Sequence, residues 1–137
     1  MTRRSAIFRA TVWLAVSASF ACVPAERGPV PPPGSNEMLR APIADAPALE
    51  VILSDVVIPP DASVPAHTHP GEEFVYVISG SAVHVEEGKP DRLVAAGETL
   101  TISPRAVHAP RGGPRGARAI VFRVHPRNTP ERAPVAK

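Results

Sequence analysis

The residues of this chain best suited to chemistry lie in His67-Thr-His69-Pro-Gly-Glu-Glu73, with a further histidine at His108 in Ile102-Ser-Pro-Arg-Ala-Val-His108. On a strand, side chains repeat every second residue, so His67 and His69 project from one face. The Pro70-Gly71 turn lets Glu73 join them. His108 supplies a natural fourth ligand. Three neutral imidazoles and one carboxylate suit Fe(II), Mn(II), Ni(II) or Zn(II), and affinity order alone does not choose among these metals. An octahedral ion so held keeps two positions for water, oxygen or substrate, and an open position separates catalytic from structural sites. No thiolate belongs to the set. Ligating histidines must be neutral at the metal-facing nitrogen, so acid should release the ion.

The elements that position these groups read as strands. From Leu49 onward, short runs rich in Val and Ile are separated by turn residues, and no stretch shows sustained helical periodicity. The expected strands are Leu49 to Ile58, Glu73 to Ser79, Ala82 to Glu87, Arg92 to Ala95, Thr99 to Ser103 and Ala117 to His125. Glu87-Gly-Lys-Pro-Asp91 marks a hairpin, and the glycine-rich Arg111 to Gly116 reads as a mobile loop. If Glu73 faces the lumen, Val75 and Val77 face it too, and Phe74, Tyr76 and Ile78 point outward. By the same alternation His84 and His125 point away from the lumen, into solvent or an interface. Glu72 is a solvated neighbour, replacing Glu73 only if the turn slips by one residue.

The pattern His-x-His, three residues, Glu73, six residues, Gly80, followed by Gly97 and His108, resembles the two motifs of the cupins, over roughly Leu49 to Val124. The resemblance implies an all-β, single-domain antiparallel double-stranded β-helix, a jelly-roll barrel, with His67, His69, Glu73 and His108 holding a divalent metal in its cavity. Two departures fall at turns. Asp61 stands where a glycine usually opens the first motif. Ser103 and Arg105 occupy the proline and glycine positions of the second, with Gly112 where an asparagine often stands.

The chain has 137 residues, room for one domain. Residues 1–21 read as a bacterial-type export signal: a basic start with Arg3, Arg4 and Arg9, an apolar run from Ala10 to Phe20 too short to span a membrane, and small residues at the end. Without that segment basic residues fall from 15 to 12 against 13 acidic ones. The balance is near neutral, and no basic stripe points to nucleic acid. Cys22 is the only cysteine, which excludes an intrachain disulfide. Ser19-Phe-Ala-Cys22 resembles a lipobox, which would place a lipid on Cys22 as the chain's contact with a membrane; the other reading is plain secretion after Ala18, Ala21 or Ala25. The expected location is therefore periplasmic or secreted, with or without a lipid anchor.

Residues 22–47 hold seven of the 18 prolines and read as an extended, disordered linker. The barrel is expected over 48–126, and a disordered tail over 127–137. A barrel of about 80 residues buries only about 60% of its unfolded surface. Pairing two copies across Phe74, Tyr76 and Ile78 would offset this, which predicts a homodimer; the other reading tucks Phe74 and Tyr76 beneath an N-terminal strand of one subunit. The lumen should be a small apolar pocket, the usual form of a small-molecule site. Arg105, with Arg111 and Arg115, could reach an anionic substrate at its mouth. Three functions fit: a metal-dependent, dioxygenase-like enzyme acting on a small oxygen-bearing molecule, a binding module for a metal or small ligand, and a structural barrel.

Overall fold

The computed structural model describes residues 28–135. The export signal expected over 1–21, Cys22 and the start of the linker lie outside the described residues. Eight strands follow in order: β1 (Gly34–Ile43), β2 (Ala46–Ile58), β3 (His67–Thr68), β4 (Glu72–His84), β5 (Arg92–Ala95), β6 (Thr99–Ile102), β7 (Arg111–Pro126) and β8 (Ala133–Pro134). No helix occurs among the described residues, and none is long and apolar enough to cross a membrane. The chain is an all-β, antiparallel, jelly-roll barrel.

The main sheet runs β1-β2-β7-β4-β5, with β6 also paired to β4. β7 is its spine. On one side Leu49 to Ile58 pair without interruption with Pro126 to Ala117. On the other, β4 pairs from Glu72 opposite Val124 down to Val83 opposite Arg111, with register shifts between Val77 and Ser79 and between Gly80 and Ala82. Opposing this sheet are β3 and β8, joined through the bridges of His67 and Glu86 to His108. Val77, Val94, Ala119 and Val121 form the buried core, with Val56, Val75 and Leu100 packed against it, all on strands of the main sheet.

The register shifts in β4 are a β-bulge, which inserts a residue and reverses which parity faces inward. Up to Val77 the odd positions Glu73 and Val77 are buried, whereas beyond Gly80 the even positions His84 and Glu86 are. Gly80 makes the bulge possible. Its φ is +70°, and a Cβ there would lie 2.0 Å from the Gly116 carbonyl oxygen.

Four expectations are corrected. The linker expected over 22–47 contains β1, whose Leu39, Arg40 and Ala41 pair with Leu53, Ile52 and Val51, so the sheet begins before the barrel's expected edge. β1 lies beside β2 at the sheet edge and leaves Phe74 and Tyr76 39% and 47% exposed, against the reading that an N-terminal strand covers them. The glycine-rich Arg111 to Gly116 is the first third of β7 rather than a mobile loop. Its glycines answer to close backbone approach: a Cβ on Gly112 would lie 2.2 Å from the Pro59 carbonyl oxygen. The tail expected to be disordered carries β8, paired to β3. Asp61 and Arg105, two turn positions where the resemblance calls for glycine, have φ of 55° and 62°, so the left-handed turns persist without glycine.

Candidate metal centre

β3 and the turn after it carry His67 and His69, the start of β4 carries Glu73, and the segment bridged to β3 carries His108. His67 and His108 exchange both backbone hydrogen bonds, each 3.0 Å long. That pairing is what draws together residues 41 positions apart. One ring nitrogen from each of His67, His69 and His108 lies within 4.8 Å of the others, and all three residues are buried.

Each ring is oriented from behind by a backbone carbonyl. His67 Nδ1 donates to Pro65 O at 2.8 Å, His69 Nδ1 to Glu131 O at 2.6 Å, and His108 Nδ1 to Ala106 O at 3.0 Å. A carbonyl can only accept, so Nδ1 holds the proton and Nε2 keeps the lone pair, the arrangement that outer hydrogen bonds impose on ligating histidines. Burial lowers the pKa of His67 to about 4 and also lowers that of His69, so both rings are neutral at pH 7. Nε2 of His69 is buried without a hydrogen-bond partner among the described residues. An unmet buried acceptor costs roughly 1–3 kcal/mol, and a cation would satisfy it. The donor set therefore fits a divalent ion.

Glu73, the fourth expected ligand, stands beside His69 and outside the group of three. Its Oε2 is 3.4 Å from His69 Nε2 and accepts from Arg123 Nε at 2.6 Å. Burial would raise its pKa, but the Arg123 guanidinium, followed by His69, holds the carboxyl below the usual range. The carboxylate has lone pairs enough to accept from Arg123 and still face an ion. Arg123 Nη1 continues to Glu131 Oε1 at 2.9 Å.

These groups line a cavity of about 170 Å³ whose wall is otherwise mostly apolar, including Val56, Val77, Val94, Leu100, Ile102 and Val121. Arg105, Arg111 and Arg115 are exposed and do not line it; the arginines that do are Arg123 and Arg132. His84 is corrected from outward to inward. It is buried, lines the cavity, and its Nε2 lies 2.9 Å from Glu86 Oε2. The bulge that flips β4's parity accounts for this. His125 is corrected as well: it is fully buried, with Nε2 3.1 Å from Thr129 O. Both faces of β7 carry apolar residues, so alternation alone does not reveal which is inner. Arg123 and Glu131 were not among the expected site residues. Nothing in the sequence marked Arg123, because either parity of β7 reads as inner.

Residues 54–122, more than half of the chain, match the family model described as Cupin domain, and the chain belongs to the cupin superfamily. Among solved structures it is similar to a cupin-like protein from Thermotoga maritima, at 26% identity and TM-score 0.55, covering 64% of this chain and 65% of that one. It is also similar to the DMSP lyase from Ruegeria pomeroyi, at 22% identity and TM-score 0.56, covering 74% and 54%. A third is an oxalate oxidase in complex with glycolate, at 23% identity and TM-score 0.54, covering 77% and 57%. The chain thus spans about two thirds of the first and little more than half of the other two. No curated protein matches it.

Proposed function

We propose that this is an exported cupin that binds one metal ion and works as a metal-dependent, dioxygenase-like enzyme on a small oxygen-bearing molecule. In this reading His67, His69, Glu73 and His108 hold the ion, which is iron, manganese, nickel or zinc. The observation that carries the reading is the buried, unpartnered Nε2 of His69 beside two further imidazoles tied back by their Nδ1 atoms. When bound, such an ion supplies Lewis acidity and open positions for oxygen-bearing ligands. DMSP lyase and oxalate oxidase are enzymes on the same fold, which supports catalysis without selecting a reaction.

The chain's own residues narrow the ligand. The charged groups lining the cavity are Glu73, Glu131, Arg123 and Arg132, and they cancel. A divalent ion would leave the cavity positive, which favours an anion such as a small carboxylate over a neutral molecule. The aliphatic wall excludes water and takes an apolar body. His84 is the lining residue fitted to carry a proton: Nε2–H donates to Glu86, leaving Nδ1 as acceptor. Export to the periplasm or medium, with or without a lipid on Cys22, and pairing as a homodimer through the outer sheet face complete the proposal.

Elemental analysis of protein purified without chelator tests it, followed by oxygen uptake over a panel of small carboxylates, flavonols, catechols, diketones and thiol acids. Glu73→Gln should lower metal content and turnover together; unchanged activity in a metal-free preparation would rule the mechanism out. A second reading, a non-catalytic module that captures a metal or small ligand, is favoured by the small cavity. Stoichiometric binding with no oxygen uptake across the panel would select it.

A further inference from the structure

The segment after Pro126 carries no residue of the cupin motifs, yet it packs against the metal centre. β8 pairs with β3, Pro134 opposite His67 and Ala133 opposite Thr68, and Val135 N–H donates to Ala66 O at 3.1 Å. The strand that carries His67 therefore has the C-terminal segment as a neighbour. Three residues earlier, Glu131 makes two contacts with different parts of the site. Its carbonyl oxygen accepts from His69 Nδ1 at 2.6 Å, and its Oε1 accepts from Arg123 Nη1 at 2.9 Å.

These contacts link four residues into a ring left open only between two acceptors, His69 Nε2 and Glu73 Oε2. From Glu131 O the path runs to His69 Nδ1, across the imidazole to Nε2, and 3.4 Å on to Glu73 Oε2. It continues to Arg123 Nε at 2.6 Å and returns through Nη1 to Glu131 Oε1. Of the three carbonyls that orient the histidines, those of Pro65 and Ala106 lie two residues from the ring they hold, whereas Glu131 lies 62 residues from His69. The orientation of His67 and His108 is thus local. That of His69 depends on the tail.

We propose that Glu131–Val135 is a strap that completes the metal centre, with Glu131 as the positioning residue for His69 and Arg123. The inference rests on the metal-centre reading and goes beyond it by giving the tail a task. Without the strap, Nδ1 of His69 has no carbonyl to hold its proton, so the ring samples both tautomers and Nε2 is no longer fixed as a lone pair. Loss of such outer partners weakens metal binding by about 10–100-fold.

The test begins with the full chain, metal-free and ¹⁵N-labelled, in long-range ¹H–¹⁵N spectra that read each histidine tautomer. His69 should be the Nδ1–H form; an Nε2–H form overturns the proposal. In a chain ending at Pro130, His69 alone should shift to a mixture while His67 and His108 stay Nδ1–H, and Co(II) should bind at least tenfold more weakly. An unchanged tautomer and unchanged Co(II) affinity overturn the proposal. A strap that merely stabilises the fold would shift all three histidines or none. Should the shortened chain not fold, Val135→Pro in the full chain removes the N–H given to Ala66 while leaving Glu131 in place, and the same selective shift at His69 is expected. If the full chain shows the Nδ1–H form but binds no Co(II), the metal-centre reading fails while the tautomer result still supports the strap.

Discussion

His84 offers the sharpest test at the scale of single residues, because it lines the cavity without belonging to the metal cluster. Glu86 holds its Nε2, and the Lys89 ammonium, then His84 itself, keep the Glu86 carboxyl below its usual range, so the partner stays charged. His84→Gln should keep the full metal stoichiometry while lowering turnover by about a hundredfold, the ordinary contribution of a proton carrier. Equal turnover of variant and parent, measured at matched metal content, would remove His84 from the chemistry. The three clustered histidines were legible in the sequence because their spacing to one another and to Glu73 is itself the signal. His84, Arg123 and Glu131 were not, since each earns its place through a partner distant in sequence or through a change of strand parity.

At the scale of elements, β4 shows where alternation reads correctly and where it stops. Glu73 and Val77 are buried while Phe74, Tyr76 and Ile78 are exposed, as a period of two requires. Past the bulge the count shifts by one, and a fixed period then assigns every following residue to the wrong face. Gly80 marks the place in the sequence, but a glycine reads equally as a strand end. Gly80→Ala should destabilise the protein by about 2 kcal/mol or more, combining a left-handed backbone with a Cβ 2.0 Å from Gly116 O. Equilibrium denaturation checks this, and a loss within error of zero would mean that the strand can realign without the bulge. β1 and β8 escaped notice for a different reason. Their prolines and charges belong to composition that rarely builds strands, and only pairing with β2 and β3 gives them regular structure.

For the whole molecule, the buried histidines tie stability to pH. In metal-free protein His67 titrates near pH 4, against an ordinary value of 6.5 that applies once the chain unfolds. Between those values the unfolded chain binds the extra proton, so stability falls as pH drops from about 6.5 to about 4 and this contribution is fully lost below. The lowered His69 acts in the same direction. Glu73, held below its ordinary value, adds stability above that value that disappears as pH falls through its folded pKa. Thermal melts of chelator-treated protein from pH 7.5 down to 4 should therefore show a progressive decline, and a constant midpoint would contradict the neutral, buried state of these rings.

The outer face of the sheet makes the remaining prediction at this scale. Register places Leu39 beside Leu53, Leu53 beside Phe122 and Phe122 beside Phe74, one apolar row across β1, β2, β7 and β4. Leu39, Phe74, Tyr76, Ile78 and Phe122 are all exposed on it, with the Phe74 and Phe122 rings 6.3 Å apart. Contiguous apolar surface of this kind is where soluble chains associate, and a two-fold dimer needs only one such self-complementary face. Light scattering should give twice the chain mass for the parent and the monomer mass for Phe74→Glu. Because Phe74 points away from the cavity, that variant should bind metal as the parent does, which separates loss of pairing from loss of fold. A parent that stays monomeric at its highest soluble concentration would show that the face serves another purpose. A dimer that survives Phe74→Glu would place the contact elsewhere on the barrel.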